Sequence, residues 1–121
     1  MFHLSLPVER FAECLDFYRS AFAANVVMLG EHAANLFVFG GQVTLHDRPD
    51  AIFDQTQRRE MHFGPIVDNA EWFAIRDRLR DTDQPLLTCI EPDAASGRRG
   101  KLLLADPSGN LVEINSAYPS F

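Results

Sequence analysis

Two histidines and one glutamate lie in three short apolar stretches: His3 in FHLSLPV, His62 in MHFGPIV and Glu113 in NLVEINS. Runs of this length and composition are typical of β-strands. Two imidazoles and one carboxylate are the donor set of a facial triad, which holds a divalent metal and leaves coordination positions open. The three residue types therefore predict a metal site formed by His3, His62 and Glu113.

Each of these residues also has an ordinary structural interpretation. A histidine that begins a strand is commonly a partly exposed, hydrogen-bonded residue, and Glu113 fits the solvent side of an edge strand. The two histidine stretches, however, resemble each other. His3 and His62 each follow an apolar residue, and Val8 and Val67 come five positions later in both. Ligand types at matching positions of a repeat favour the metal site over core packing.

The elements that must position these residues follow the same order in both halves of the chain. The first half has a strand, a helix with an apolar stripe, another strand and a hairpin that turns at Gly40-Gly41. The second half has a strand, a helix capped by Asp68 or Asn69, and three more strands, of which the last two meet at DPSGN. We predict one α+β domain over residues 1–121, with a βαβββ module at 1–47, a linker at 48–60 and a second βαβββ module at 61–116.

Composition limits the function classes. The 121 residues are 46% hydrophobic with a formal net charge of −6. An acidic chain argues against nucleic-acid binding, which needs a basic surface, and no apolar run reaches the length of a membrane span. The first residues lack the pattern of a signal peptide, so we expect a cytoplasmic protein. Cys14 and Cys89 match no zinc or redox spacing and are interpreted as small apolar core residues.

The repeat and its motifs resemble the vicinal oxygen chelate superfamily, which includes glyoxalase I, extradiol dioxygenases, fosfomycin-modifying enzymes and bleomycin-binding proteins. The resemblance covers residues 2–116 and depends on FHLSLPV with the DFYRSAF helix, on MHFG and on ADPSGNLVEI. It implies two βαβββ modules forming curved mixed sheets around a metal cavity, with His3, His62 and Glu113 as ligands. It also implies a homodimer in which His3 of one chain shares a site with His62 and Glu113 of the other.

The sequence differs from glyoxalase I at the position of that enzyme's fourth metal ligand. Matching Gly41 to Gly109 places Leu45 opposite Glu113, with His46 one residue away and therefore on the other face of a regular strand. His46 stays open as a fourth ligand, as a catalytic acid–base residue or as a structural residue. Three ligands favour Fe(II) or Mn(II), whereas a fourth would suit Zn(II) or Ni(II).

Four further polar residues remain candidates. Arg98 and Arg99 lie in a glycine-flanked loop, where they could bind an anionic substrate or form a solvated loop tip. Ser5 and Tyr118 are polar, and the sequence does not place them relative to a cavity.

Three functions are consistent with these residues. The first is a metal-dependent enzyme, either a ring-cleaving dioxygenase or a lyase or isomerase, whose small oxygenated substrate chelates the metal. The second is a metal-free protein of the same fold that binds or sequesters a drug. The third is a metal-bound regulatory domain without turnover.

Overall fold

The computed structural model describes residues 1–117. The first half of the chain folds as a strand, a helix and three strands, as its apolar pattern predicts. These elements are β1 (His3–Val8), α1 (Phe11–Phe22), β2 (Asn25–Met28), β3 (Ala33–Val38) and β4 (Gly41–Asp47). They form sheet A, with strand order β1-β4-β3-β2. β1 pairs with β4 in parallel, and the other pairs are antiparallel.

The connection to the second half contains a 3₁₀ turn at Pro49–Ala51 and the short helix α2 (Gln55–Arg58). Asp54 begins α2 with a capping box, because its carboxylate accepts from the backbone N–H of Gln57 while the Gln57 side chain accepts from the N–H of Asp54. A polar segment expected to be a plain linker is thus partly helical.

The second half forms sheet B and a third helix. Its elements are β5 (His62–Phe63), β6 (Ile66–Val67), α3 (Asn69–Asp81), β7 (Thr88–Ile90), β8 (Lys101–Ala105) and β9 (Leu111–Ser116). The strand order is β5-β9-β8-β7, and β6 also pairs with β9. The predicted single strand MHFGPIV is therefore two short strands, because Gly64 and Pro65 interrupt the ladder between them. Asp68 caps α3 by accepting from the N–H of Glu71.

The helices cover one face of each sheet. Leu45 of sheet A and Ile114 of sheet B are fully buried, as are Tyr18 of α1 and Trp72 of α3, and all belong to one apolar core. Side chains alternate along a strand, so the neighbours of these core residues point away from the helices. We call these two surfaces the open face of sheet A and the open face of sheet B.

The DPSGN turn ties the two halves together. The buried carboxylate of Asp106 accepts from the Tyr18 hydroxyl of α1 at 2.7 Å, and from the backbone N–H groups of Ser108 and Asn110 at 2.9 Å each. Burial, and then the charge of Asp106, raises the pKa of Tyr18 well above its ordinary value. The same two causes raise the pKa of the nearby Cys14 thiol to about 12. The turn therefore has a structural role beyond reversing the chain.

The predicted α+β class with two mixed sheets is confirmed. The interpretation of Cys14 as a core residue is also right, but Cys89 is exposed. Cys89 lies on β7, which has only three residues and stands at the edge of sheet B, so few neighbours cover it. None of the helices within residues 1–117 has the length and apolar character needed to cross a membrane.

Candidate metal and substrate site

His62 and Glu113 meet on the open face of sheet B. β5 runs parallel to β9 with His62 beside Leu111, so Glu113 follows two residues later on the same face. The His62 Nε2 atom lies 3.1 Å from the Glu113 Oε2 atom. Gly64 permits this approach, because a Cβ atom at that position would collide with the backbone carbonyl oxygen of Glu113.

Two more side chains hold the Glu113 carboxylate. Lys101 Nζ lies 3.4 Å from Oε1, and the Asn115 amide donates to Oε2 at 3.1 Å. The Glu113 side chain is only 12% exposed, whereas those of His62 and Lys101 are about half exposed at 47% and 46%. A mostly buried carboxylate thus faces an accessible imidazole and an accessible ammonium group.

His3 lies on the open face of sheet A, apart from this pair. Its partner across the strands is Gln42, whose Nε2 atom is 3.0 Å from His3 Nδ1. Within residues 1–117 of a single chain, no three His, Cys, Asp or Glu side chains gather closely enough to hold a metal ion. The structure therefore brings two of the three predicted ligands together and leaves the third on the other sheet.

The strand register corrects the predicted match between the halves. His62 pairs with Leu111 and Glu113 lies two residues on, whereas His3 pairs with Gln42 and Thr44 lies two residues on. Thr44, not Leu45, is thus the counterpart of Glu113. The glycine match fails because β3 and β4 are joined by two residues, while β8 and β9 are joined by five. Leu45 is a core residue on the helix side.

His46 shares the open face of sheet A with Gln42 and Thr44, since it lies at even spacing along β4. No bulge is needed to turn it toward that face. Its Nε2 atom is 2.9 Å from the hydroxyl of Ser5 on the neighbouring strand β1. His46 thus lies on this face, four residues along the strand from Gln42.

The two arginines of the predicted anion-binding loop contact the backbone. Arg98 donates through Nε and Nη2 to the carbonyl of Glu91, at 3.1 and 2.8 Å, and Arg99 donates through Nε to the carbonyl of Ser116 at 2.8 Å. Ser116 ends β9, whereas Leu111, which pairs with His62, begins it. Both arginines thus lie near the far end of the strand that holds Glu113. Tyr118 lies outside the described residues.

His62 lines two cavities together with residues of sheet A. One, of about 280 Å³, is mainly apolar, and the other, of about 290 Å³, has Gln42 in its wall. Phe2 lines both cavities and is 72% exposed. An apolar wall with a few polar groups is the usual composition of a small-molecule pocket.

Comparison with known proteins decides the family. The sequence profile of the Glyoxalase/Bleomycin resistance protein/Dioxygenase superfamily matches residues 1–114. The chain belongs to this superfamily. A search of curated proteins finds no match for the chain.

Solved structures of superfamily proteins share the fold. A glyoxalase/bleomycin resistance protein/dioxygenase from Alicyclobacillus acidocaldarius is 22% identical, with a TM-score of 0.79 over 99% of this chain and 92% of that chain. A lactoylglutathione lyase from Agrobacterium tumefaciens is 17% identical, with a TM-score of 0.71 over 97% and 92%. The fosfomycin resistance protein FosX from Listeria monocytogenes is 13% identical, with a TM-score of 0.73 over 99% and 94%. At these identities the likeness concerns the fold alone.

Sequence reasoning missed Gln42, Thr44 and Lys101. Lys101 is the sole lysine of the chain, and strand alternation from Leu103, which pairs with Glu113, places it on the face of that carboxylate. That signal was present in the sequence, but its use required the pairing of β8 with β9. Gln42 and Thr44 could be identified only from the parallel register of β1 and β4.

Proposed function

We propose that this superfamily member is a divalent-metal-dependent enzyme acting on a small oxygenated substrate that chelates the metal. The observation that carries the proposal is the 3.1 Å approach of His62 Nε2 to Glu113 Oε2. Two ligands that each lie about 2.1 Å from one ion, at angles of about 90–110°, are about 3.0–3.4 Å apart. The separation and the chemistry of the pair thus fit two ligands of one metal.

The third ligand in this proposal is His3 of a second copy of the chain. The open faces of the two sheets each carry part of the donor set, and apolar side chains beside the ligands, Phe2 and Met61, are 72% and 47% exposed. A homodimer that places sheet A of one protomer against sheet B of its partner would cover these groups and complete the triad. Fe(II) or Mn(II) suits two imidazoles and one carboxylate, with Zn(II) or Ni(II) as alternatives.

When bound, the metal would act as a Lewis acid on adjacent substrate oxygens. The chain's own residues bind and orient the substrate. Lys101, beside the Glu113 carboxylate, is placed to pair with a negatively charged oxygen. His46, hydrogen-bonded to Ser5 on the open face of sheet A, is the candidate for proton transfer. Arg98 and Arg99 remain candidates for binding an anionic part of the substrate at the far end of β9.

The reaction class in the proposal is a lyase or isomerase reaction, or dioxygenase-like ring cleavage. The solved neighbours include a lactoylglutathione lyase, which supports the lyase class by fold. The two-histidine, one-carboxylate donor set supports the third. A metal-free binding protein of the same fold is the second candidate, because the mainly apolar cavity beside His62 would accept an aromatic drug without any metal.

Metal titration of two matched variants tests the proposal. His62→Ala removes a ligand, so we expect metal affinity to fall by more than the roughly 10–100-fold typical of outer-shell changes. Lys101→Met removes a cation that competes for the Glu113 carboxylate, so we expect unchanged or tighter binding. Metal content by elemental mass spectrometry and affinity by chelator competition provide the measurements. Equal binding by His62→Ala and the parent protein, or no uptake by the parent, would leave the metal-free binding function.

A further inference from the structure

His3 contacts a small network of polar side chains formed by Gln42, Asn35 and Thr44. Gln42 Nε2 lies within hydrogen-bonding distance of three acceptors: His3 Nδ1 at 3.0 Å, Asn35 Oδ1 at 3.3 Å and Thr44 Oγ1 at 3.4 Å. The Thr44 hydroxyl in turn donates to Asn35 Oδ1 at 2.8 Å. Thr44 is 6% exposed and its contacts with Gln42 and Asn35 are partly buried, whereas the contact between Gln42 and His3 is exposed.

The orientation of the Gln42 amide decides where the proton of a neutral His3 ring resides. While the Gln42 amide donates to Nδ1, that nitrogen is an acceptor, and the ring proton lies on Nε2. Neither nitrogen then offers a free lone pair. The network as it stands therefore holds His3 in a tautomer that cannot bind a metal ion.

The reverse arrangement keeps the contacts among His3, Gln42, Asn35 and Thr44. The oxygen and nitrogen of an amide have nearly the same size, so rotation of the Gln42 amide presents Oε1 to His3 Nδ1. If Asn35 rotates as well, its Nδ2 donates to Gln42 Oε1, and the Thr44 hydroxyl changes from donor to acceptor toward Asn35. In this state Nδ1–H donates to Gln42 and the Nε2 lone pair is free.

We propose that Gln42, supported by Asn35 and Thr44, is the positioning residue that sets the His3 tautomer and thereby its competence as a ligand. The proposal deepens the function proposed above and rests on it for the role of His3. An outer-shell group commonly fixes a ligand histidine in this way, by accepting from the ring nitrogen that faces away from the metal. Here the acceptor is an amide, which can either donate to or accept from His3 Nδ1, rather than a carboxylate, which can only accept.

Nitrogen NMR of ¹⁵N-histidine-labelled protein provides the test, with His3 assigned by a His3→Gln variant. At about pH 8 a neutral imidazole has one proton to place, and the two ring nitrogens report its position. In zinc-free protein, we expect parent His3 to carry the proton on Nε2. Gln42→Glu offers only acceptor oxygens, so we expect the proton to move to Nδ1. Zn²⁺ should produce the same move in the parent.

Zinc affinity gives the second readout. Gln42→Met keeps the shape but has no strong hydrogen-bonding group, and we expect it to weaken Zn²⁺ binding about 10–100-fold, with Gln42→Glu restoring it. Gln55→Met, a change at an exposed glutamine of α2, should leave both readouts at parent values.

Different results would contradict the metal-dependent function and the positioning role of Gln42. If the parent binds no zinc but Gln42→Glu still moves the ring proton, the metal function is wrong and the positioning role stands. If Gln42→Glu leaves the proton on Nε2, or weakens zinc binding as much as Gln42→Met, the positioning role is overturned.

Discussion

A shared site makes a quantitative prediction about mixed dimers. Each chain holds His62 and Glu113 together but keeps His3 on the other sheet, so the third ligand of every site would come from the partner. Consider a dimer of one His3→Ala chain and one His62→Ala chain. One of its sites combines the intact His3 of the second chain with the intact His62 of the first, and the other site lacks both histidines.

The expected amounts follow from counting sites under two-fold symmetry. Wild-type dimers should bind about two metal ions, each mutant homodimer none at the same concentration, and the purified heterodimer about one. Random reassociation of equal amounts gives heterodimers in about half of the dimers, so about a quarter of all sites should be restored in the unpurified mixture.

The assay uses two affinity tags. Co-expressed chains with different tags are purified in sequence to isolate the heterodimer, and metal per dimer is measured by elemental mass spectrometry after exposure to a small excess of Zn²⁺. As a control, the double variant His3→Ala/His62→Ala is paired with the wild-type chain. Both sites of that heterodimer then lack one histidine, so it should bind no metal.

Sites formed within one chain would give the opposite pattern. The heterodimer of the two single variants would then bind none, and the wild-type chain would keep its own site beside the double variant. That result would refute the shared-site argument, and failure of the parent chain to dimerise would refute it as well.

Three further predictions concern stability. Tyr18→Phe removes the hydrogen bond to the buried Asp106 carboxylate, so we expect a loss of about 1–3 kcal/mol in urea unfolding at neutral pH, and a parent-like value would contradict the structural role of the turn. Because their pKa values are raised, Tyr18 and Cys14 stay protonated in the folded protein at a pH at which they ionise in the unfolded chain. Their contribution to the free energy of unfolding should therefore be fully present below about pH 9 and should fall as the pH rises toward 12. Circular dichroism at increasing pH should show this loss of stability. Gly64→Ala should lower the free energy of unfolding by about 1–3 kcal/mol and weaken metal binding, because the new Cβ atom collides with the backbone of β9. Gly97→Ala is the control, since nothing lies within 4 Å of a Cβ atom there. It should add only the strain of a positive φ and leave metal binding unchanged.

Much of the architecture could be predicted from local pattern. The apolar stripe of α1, the Asp68 cap of α3 and the DPSGN turn each have a short-range signature, and each forms as expected. The residue types of His62 and Glu113, their repeat positions and the family resemblance predicted that the two side chains share a site, but their observed approach depends on the parallel register of β5 and β9.

Features that depend on long-range register were not predictable in the same way. Thr44 replaces Leu45 as the counterpart of Glu113 because the two hairpins differ in length, and a match between glycines cannot detect that difference. The placement of His3 and Glu113 on separate sheets follows from long-range strand pairing, and it agrees with the two modules into which the sequence analysis divided the chain. Cys89 was misassigned because apolar strand composition does not distinguish an edge from a centre.

The divergence of the two halves explains why the site has one charged side. At matching positions, the first half has Gln42 and Thr44, while the second has Leu111 and Glu113. Only the second half thus contributes a carboxylate. At the proposed site, two neutral imidazoles and one carboxylate would leave a divalent ion with one net positive charge, and Lys101 would add another beside Glu113. A neutral chelator would leave both charges uncompensated in a partly buried site, where charge pairing is stronger than in water. We therefore expect substrates with at least one ionised oxygen, such as an enolate, a carboxylate or a phosphonate, to bind more tightly than neutral diols of the same size.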